Sequence, residues 1–248
     1  MISPRSDKRS ILDESVKPYQ KIPIQECKEP LAAIPLEQFT VVSPHPYQSL
    51  GAPYGDYSPY FLRTGVLQRL LQAQAALGAH HSGWHLQVFD AYRPIAVQQF
   101  MVDYTFAQLA RAAGLDPSDL SDEARSHLHT KVLEFWAVPS SNPNTPPPHS
   151  TGGAIDLTLT DDTGRTVDMG SPIDEISPRS YPNHFANSDE TDLQKAHYHR
   201  SLLAEVMTKV GFRQHPKEWW HFSVGDQLWA WQEGKGAIAC YGDASQVI

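Results

Sequence analysis

The chain has almost no cysteine, no basic run and no long apolar stretch. Its two cysteines, Cys27 and Cys240, cannot build a disulfide framework, and their spacing matches no thiolate metal site. Free thiols in a reducing compartment are the expectation, with a single bridge tying the ends together as the alternative. Lysine and arginine total 20 against 28 acidic residues, for a net charge of −8. Without a Lys/Arg cluster this argues against nucleic acid as a partner. No apolar run approaches the roughly 18–20 residues of a membrane span. The opening stretch MISPRSDKRSILDESVKPYQ lacks the apolar core of a secretory signal, so a cytoplasmic protein is expected. Repeats and composition breaks are missing too, and 248 residues suffice for one sizeable core.

What is present reads as alternating helices and short strands. Residues 1–18 are polar and aperiodic, expected to be a mobile arm. Residues 41–60 are rich in proline, glycine and tyrosine, suiting a loop over a cleft in which Tyr54 or Tyr57 touches a ligand. Helical spacing of Val66, Leu67, Leu70, Leu71 and Ala75 predicts a helix over 61–77, stopped by Gly78. A strand over 84–90, helices over 95–113 and 122–136, and a helix over 192–210 follow from the same periodicities. Asp161–Gly164 reads as a hairpin turn whose return runs through 165–169. The LWAWQ and AIACY runs near the end suit a last strand.

The chemistry gathers around PPHSTGGAIDLTL, residues 147–159. Beyond Gly153, Ile155, Leu157 and Leu159 alternate with Asp156, Thr158 and Thr160, the pattern of a half-buried strand with Asp156 off the core face. The paired glycines let the chain fold back and bring His149 beside Asp156. An imidazole and a carboxylate converging in this way suit zinc, although an isolated H-x6-D is also compatible with a polar turn whose aspartate bonds nearby amides. Further on, KEWWHF sets Glu218 three residues before His221. Two histidines, an aspartate and a spare glutamate are the parts of a hydrolytic zinc site, three ligands leaving one position open and a non-ligand carboxylate to take a proton.

HSTGGAIDLTL together with EWWH resembles the zinc D-alanyl-D-alanine dipeptidases, the VanX-type branch of a peptidase family that also contains D,D-carboxypeptidases. The likeness runs from about Asp90 to Phe222 and takes in DAYRP and DMGSPID. It implies one Zn²⁺ per chain on His149, Asp156 and His221, with Glu218 as general base. It also implies Arg93 as the residue that stabilises the oxyanion or grips the substrate; the plain alternative is an arginine pairing with Asp90 to fix a turn. Asp174 would hold the free amino group of a dipeptide, or else cap a turn. The family pattern often has serine two residues before the first histidine, and Pro147 stands there, which puts one substrate contact in question. The expected architecture is α+β: a single domain over 19–248, with a small antiparallel sheet carrying the zinc site and helices packed on one side. The expected activity is hydrolysis of D-Ala-D-Ala. A D,D-carboxypeptidase or cell-wall endopeptidase on the same zinc site, and a non-catalytic zinc-binding module, are the alternatives. Oligomeric state is not specified by any of these features.

Overall fold

The computed structural model describes residues 17–247. The expected N-terminal arm therefore lies outside the described residues except for Lys17 and Pro18. The strands are β1 (Leu31–Ala33), β2 (Thr40–Val41), β3 (Phe61–Arg63), β4 (His85–Asp90), β5 (Ala154–Thr160), β6 (Arg213–Gln214) and β7 (His221–Ser223). The helices are α1 (Pro46–Ser49), α2 (Thr64–His80), α3 (Ile95–Ala112), α4 (Asp122–Phe135), α5 (Thr191–Lys209) and α6 (Gln227–Glu233). β1 and β3 form a two-stranded antiparallel ribbon, and the other strands make one sheet in the order β2-β4-β5-β7-β6. That sheet is antiparallel except at its edge, where β2 runs parallel to β4.

The alternation seen in the sequence sets the faces. Leu86 and Val88 of β4, Ile155, Leu157 and Leu159 of β5, and Phe222 of β7 share one core with Val66, Leu70 and Leu77 of α2 and Leu203, Val206 and Met207 of α5. Each such side chain, fully withdrawn from water, contributes about 1.5–3 kcal/mol, so this layer carries the main stabilisation. A second cluster joins Val97, Met101 and Phe106 of α3 to Leu128 and Val132 of α4, with Tyr47, Tyr54 and Trp136. The architecture is the α+β single domain expected.

Several local expectations need correction. β5 is buried along its whole length, on both faces, because its polar face is covered by the site itself. The first helix begins at Thr64 rather than residue 61 and continues through Gly78 to His80. A helical glycine costs only about 1 kcal/mol relative to alanine, which the packing of Leu70 and Leu77 outweighs. The left-handed turn falls instead at Gly83, φ +81°. LWAWQ is helical: Asp226 caps α6 by accepting the Trp229 N–H at 2.7 Å, a local bond that favours a helix start over a strand. AIACY contributes one isolated bridge, Ile24 with Ala239. The return after the Asp161 turn is likewise a single bridge, Thr160 to Thr166. Cys27 and Cys240 are free thiols on neighbouring backbone, with the Cys27 N–H donating to the Cys240 carbonyl at 3.0 Å. Among the described residues no helix is long and apolar enough to cross a membrane.

Candidate metal centre

Strand register builds the site. Asp156 stands opposite His221 on β7 and opposite Asp90 on β4. The pairing slips between Val88 and Asp90. Val88 faces Leu157, so an unbroken ladder would set Asp90 against Ile155, on the core side. The irregularity moves Asp90 across to the polar face, as a bulge does when it re-aims one side chain. His149 enters from the 3-10 turn Pro148–Thr151, closed by Gly152 in the left-handed region at φ 71°. A side chain at Gly152 would meet Leu31 Cδ2 at 2.5 Å, so the turn into β5 needs glycine for both conformation and space.

These elements bring His149, Asp156 and His221 together, all buried, with donor atoms within 4.8 Å of one another. His149 Nε2 lies 3.1 Å from His221 Nδ1 and 3.2 Å from Asp156 Oδ2. His221 Nδ1 is 3.0 Å from Asp156 Oδ1. Tetrahedral ligands at the usual zinc distances stand roughly 3.4 Å apart, so the trio needs only a few tenths of an ångström of relaxation to hold an ion. His149 Nδ1 bonds the Ala91 carbonyl at 2.7 Å. As a donor to that oxygen it leaves the Nε2 lone pair pointing into the trio, the arrangement metal-binding histidines use. Burial pushes the Asp156 carboxyl up, but His149 and His221 outweigh it and hold it well below the usual carboxylate range. A donor set of two imidazoles and an ionised carboxylate fits zinc.

Around the trio, Glu218 is buried with Oε2 3.9 Å from His221 Nδ1 and Oε1 without a hydrogen-bond partner. Burial, with the Asp156 charge, pushes it up to about 8 against the opposing pull of His221 and Lys17. Arg93 pairs with Asp90, as the plain reading of the turn expects, and its guanidinium also lines the cavity. Its Nε donates to Asp90 Oδ2 at 2.9 Å and one terminal nitrogen to Gln98 at 3.0 Å. The other terminal nitrogen reaches Asp156 Oδ2 at 3.1 Å and the Tyr47 hydroxyl at 3.3 Å. Asp174 holds a positive φ of 65°, accepts the Tyr47 hydroxyl at 2.8 Å, and is raised to about 7 by burial and by Asp156. All six residues singled out from the sequence line or adjoin one cavity.

Other residues around the site were not legible beforehand. Tyr47, rather than Tyr54 or Tyr57, bonds the site residues, holding Asp174 and Arg93 from behind the wall; Tyr54 donates to Asp90 at 2.7 Å as a support, and Tyr57 is exposed. Its neighbourhood in a tyrosine-rich loop was the only signal available. Lys17 and Tyr19 form part of the wall from the far N-terminal side, with His215 and Trp136. His215 sits 3.4 Å from Glu218, and burial together with His221 keeps it well below the usual histidine range.

Residues 40–236 match the family model described as D-Ala-D-Ala dipeptidase. A D-alanyl-D-alanine dipeptidase of Synechocystis is 54% identical over 226 residues, covering 89% of this chain and 92% of that protein. A D-alanyl-D-alanine dipeptidase of Enterococcus faecium is 40% identical over 166 residues, covering 65% of this chain and 72% of that one. Among solved structures, a zinc(II)-bound vancomycin-resistance D,D-pentapeptidase superposes with a TM-score of 0.39 at 17% identity, covering 72% of this chain and 82% of its own, a likeness too distant to speak for the site. With most of its length matched, the metal trio included, the chain belongs to the M15 peptidase family of D-Ala-D-Ala dipeptidases, which are metallopeptidases.

Proposed function

We propose that residues 19–248, with Lys17 added to the cavity wall, act as one catalytic unit, a cytoplasmic dipeptidase that hydrolyses D-Ala-D-Ala with one zinc ion per chain. The observation that carries this reading is the convergence of His149, Asp156 and His221, with Glu218 3.9 Å from His221. His149, Asp156 and His221 would hold the zinc, which would supply Lewis-acid charge at the scissile carbonyl and at water. The base is Glu218. Burial makes it ready to hold a proton, while a nearby dication favours its carboxylate, so at neutral pH it can accept a proton from the attacking water and return it to the leaving amine. Arg93 is held rigid by Asp90, Gln98 and Asp156, and its fixed guanidinium charge in the cavity wall opposes the negative charge that develops on the carbonyl oxygen. Asp174, already bonded by Tyr47, offers its carboxylate to the dipeptide's ammonium group. That last contact favours a free dipeptide over a longer peptide, whose corresponding nitrogen is an uncharged amide.

The test measures D-alanine released from D-Ala-D-Ala and from its amino-blocked form, with and without a chelator. Chelator-sensitive release from the free dipeptide alone is the expected result. Equal release from the blocked peptide would place the enzyme with the D,D-carboxypeptidases, and no release from either would remove the substrate assignment.

A further inference from the structure

Lys17 precedes the family-matched region yet lines the same cavity as His149, Asp156, Glu218 and His221. Its position is built. Lys17 N–H donates to Gln20 Oε1 at 2.8 Å, and its carbonyl accepts the Gln20 N–H at 2.9 Å, closing the 3-10 turn Pro18–Lys21. That turn is fastened to α6 by Gln227, whose Nε2 donates to the Gln20 carbonyl at 3.2 Å and to the Ile22 carbonyl at 2.6 Å. Tyr19 is buried beside it. The ammonium donates to the Trp136 carbonyl at 3.3 Å. An ammonium has three protons to give, and among the described residues its hydrogen bond is to the Trp136 carbonyl, which leaves donor capacity for an occupant of the cavity.

Burial lowers the Lys17 ammonium from its usual range, and the Glu218 carboxylate opposes that shift. Glu218 and His215 both register the lysine charge in return. Arg93 is committed to Asp90, Gln98, Asp156 and the Tyr47 hydroxyl. A dipeptide brings a carboxylate as well as an ammonium group, and the carboxylate needs its own donor. Pro147 offers neither an N–H nor a side-chain donor, at the position where the family pattern often has serine.

We propose that Lys17 binds the C-terminal carboxylate of the dipeptide and sets the preference for a free carboxyl end; this deepens, and rests on, the dipeptidase reading above. The cation gives the carboxylate a charge-assisted partner in a partly desolvated wall, the setting in which such bonds are strongest.

The experiment compares zinc-loaded full-length wild type, Lys17→Met and Lys17→Arg on D-Ala-D-Ala and on its C-terminal amide. In Lys17→Met, kcat/KM for the dipeptide should fall about 30-fold, mostly through KM, while the amide loses less than about threefold. Lys17→Arg, which keeps the charge, should retain most of the preference for the acid. As a readout independent of turnover, calorimetric binding of D-Ala-D-Ala to a Glu218→Gln protein should weaken about 30-fold when Lys17→Met is added. Equal losses on acid and amide would overturn the proposal, because they would mean that Lys17 acts on the reaction through Glu218. An active wild type that does not distinguish acid from amide would overturn it as well, while leaving the dipeptidase reading intact. A wild type inactive on both substrates would remove that reading and this inference together.

Discussion

At the scale of single residues, environment turns ordinary carboxylates into distinct tools. Glu218 and Asp156 share one pocket, yet burial raises the first to about 8 while two histidines hold the second well down. Replacing Glu218 by glutamine keeps the shape and removes the base. The variant should retain its bound zinc by elemental analysis and lose about 10²–10⁴ in kcat; near-normal turnover would sink its assigned role. Asp174 makes a second prediction, in which function and stability oppose one another. Its folded value of about 7 lies above the ~3.9 of an unfolded aspartate. The native state therefore binds more protons, and wild type loses stability as pH rises from about 4 to about 7. Asp174→Asn cannot ionise. In urea denaturation of the metal-free protein it should match wild type near pH 4 and exceed it at pH 8, by up to about 4 kcal/mol. The same change should raise KM for the dipeptide about tenfold or more through the lost ammonium contact. Equal stability differences at both pH values would mean that Asp174 is not raised.

At the scale of elements, the site depends on how closely strands approach. Gly153 follows the His149 turn, and its carbonyl accepts the Val224 N–H at 3.0 Å. A methyl group there would lie 2.8 Å from the Val224 carbonyl oxygen, a backbone atom that cannot swing away. Gly153→Ala should therefore destabilise the fold by about 1–3 kcal/mol and weaken zinc binding as β5 and β7 are pushed apart; an unchanged denaturation midpoint would show that the strands have slack. The same scale explains which elements were readable. The alternation over Ile155–Thr160 and the helical spacing from Val66 to Leu77 are local patterns with a single geometric solution. The irregularity that turns Asp90 toward Asp156 has no local marker, and LWAWQ, which suits a strand by its aromatic residues, is a helix because Asp226 caps it.

At the scale of the whole molecule, the trio joins a turn and two strands whose donors are 72 residues apart between His149 and His221, so a metal bound there clamps the central sheet. Ligand held only by the native state stabilises by about 4 kcal/mol at a thousandfold excess over Kd, and for a protein of this size that corresponds to roughly 10 °C in Tm. Chelation should lower Tm by about that amount, reversed by added zinc, in scanning calorimetry. A Tm indifferent to chelator would argue against a metal centre. The sequence by itself indicated the α+β class, and the short spacings H-x6-D around two glycines and E-x-x-H, through the resemblance they carry, singled out the trio that the structure brings together with Glu218 beside it. Arg93 was legible as a residue but not in its dual engagement with Asp90 and Asp156. Tyr47 and Lys17 were decided by tertiary structure alone. Lys17 lines the cavity and Tyr47 bonds Asp174 and Arg93 behind its wall, each from a segment distant in the chain, through the Gln227 anchor in the first case and packing against α3 and α4 in the second. Contacts of that kind depend on how loops close over long separations, and no local periodicity encodes them.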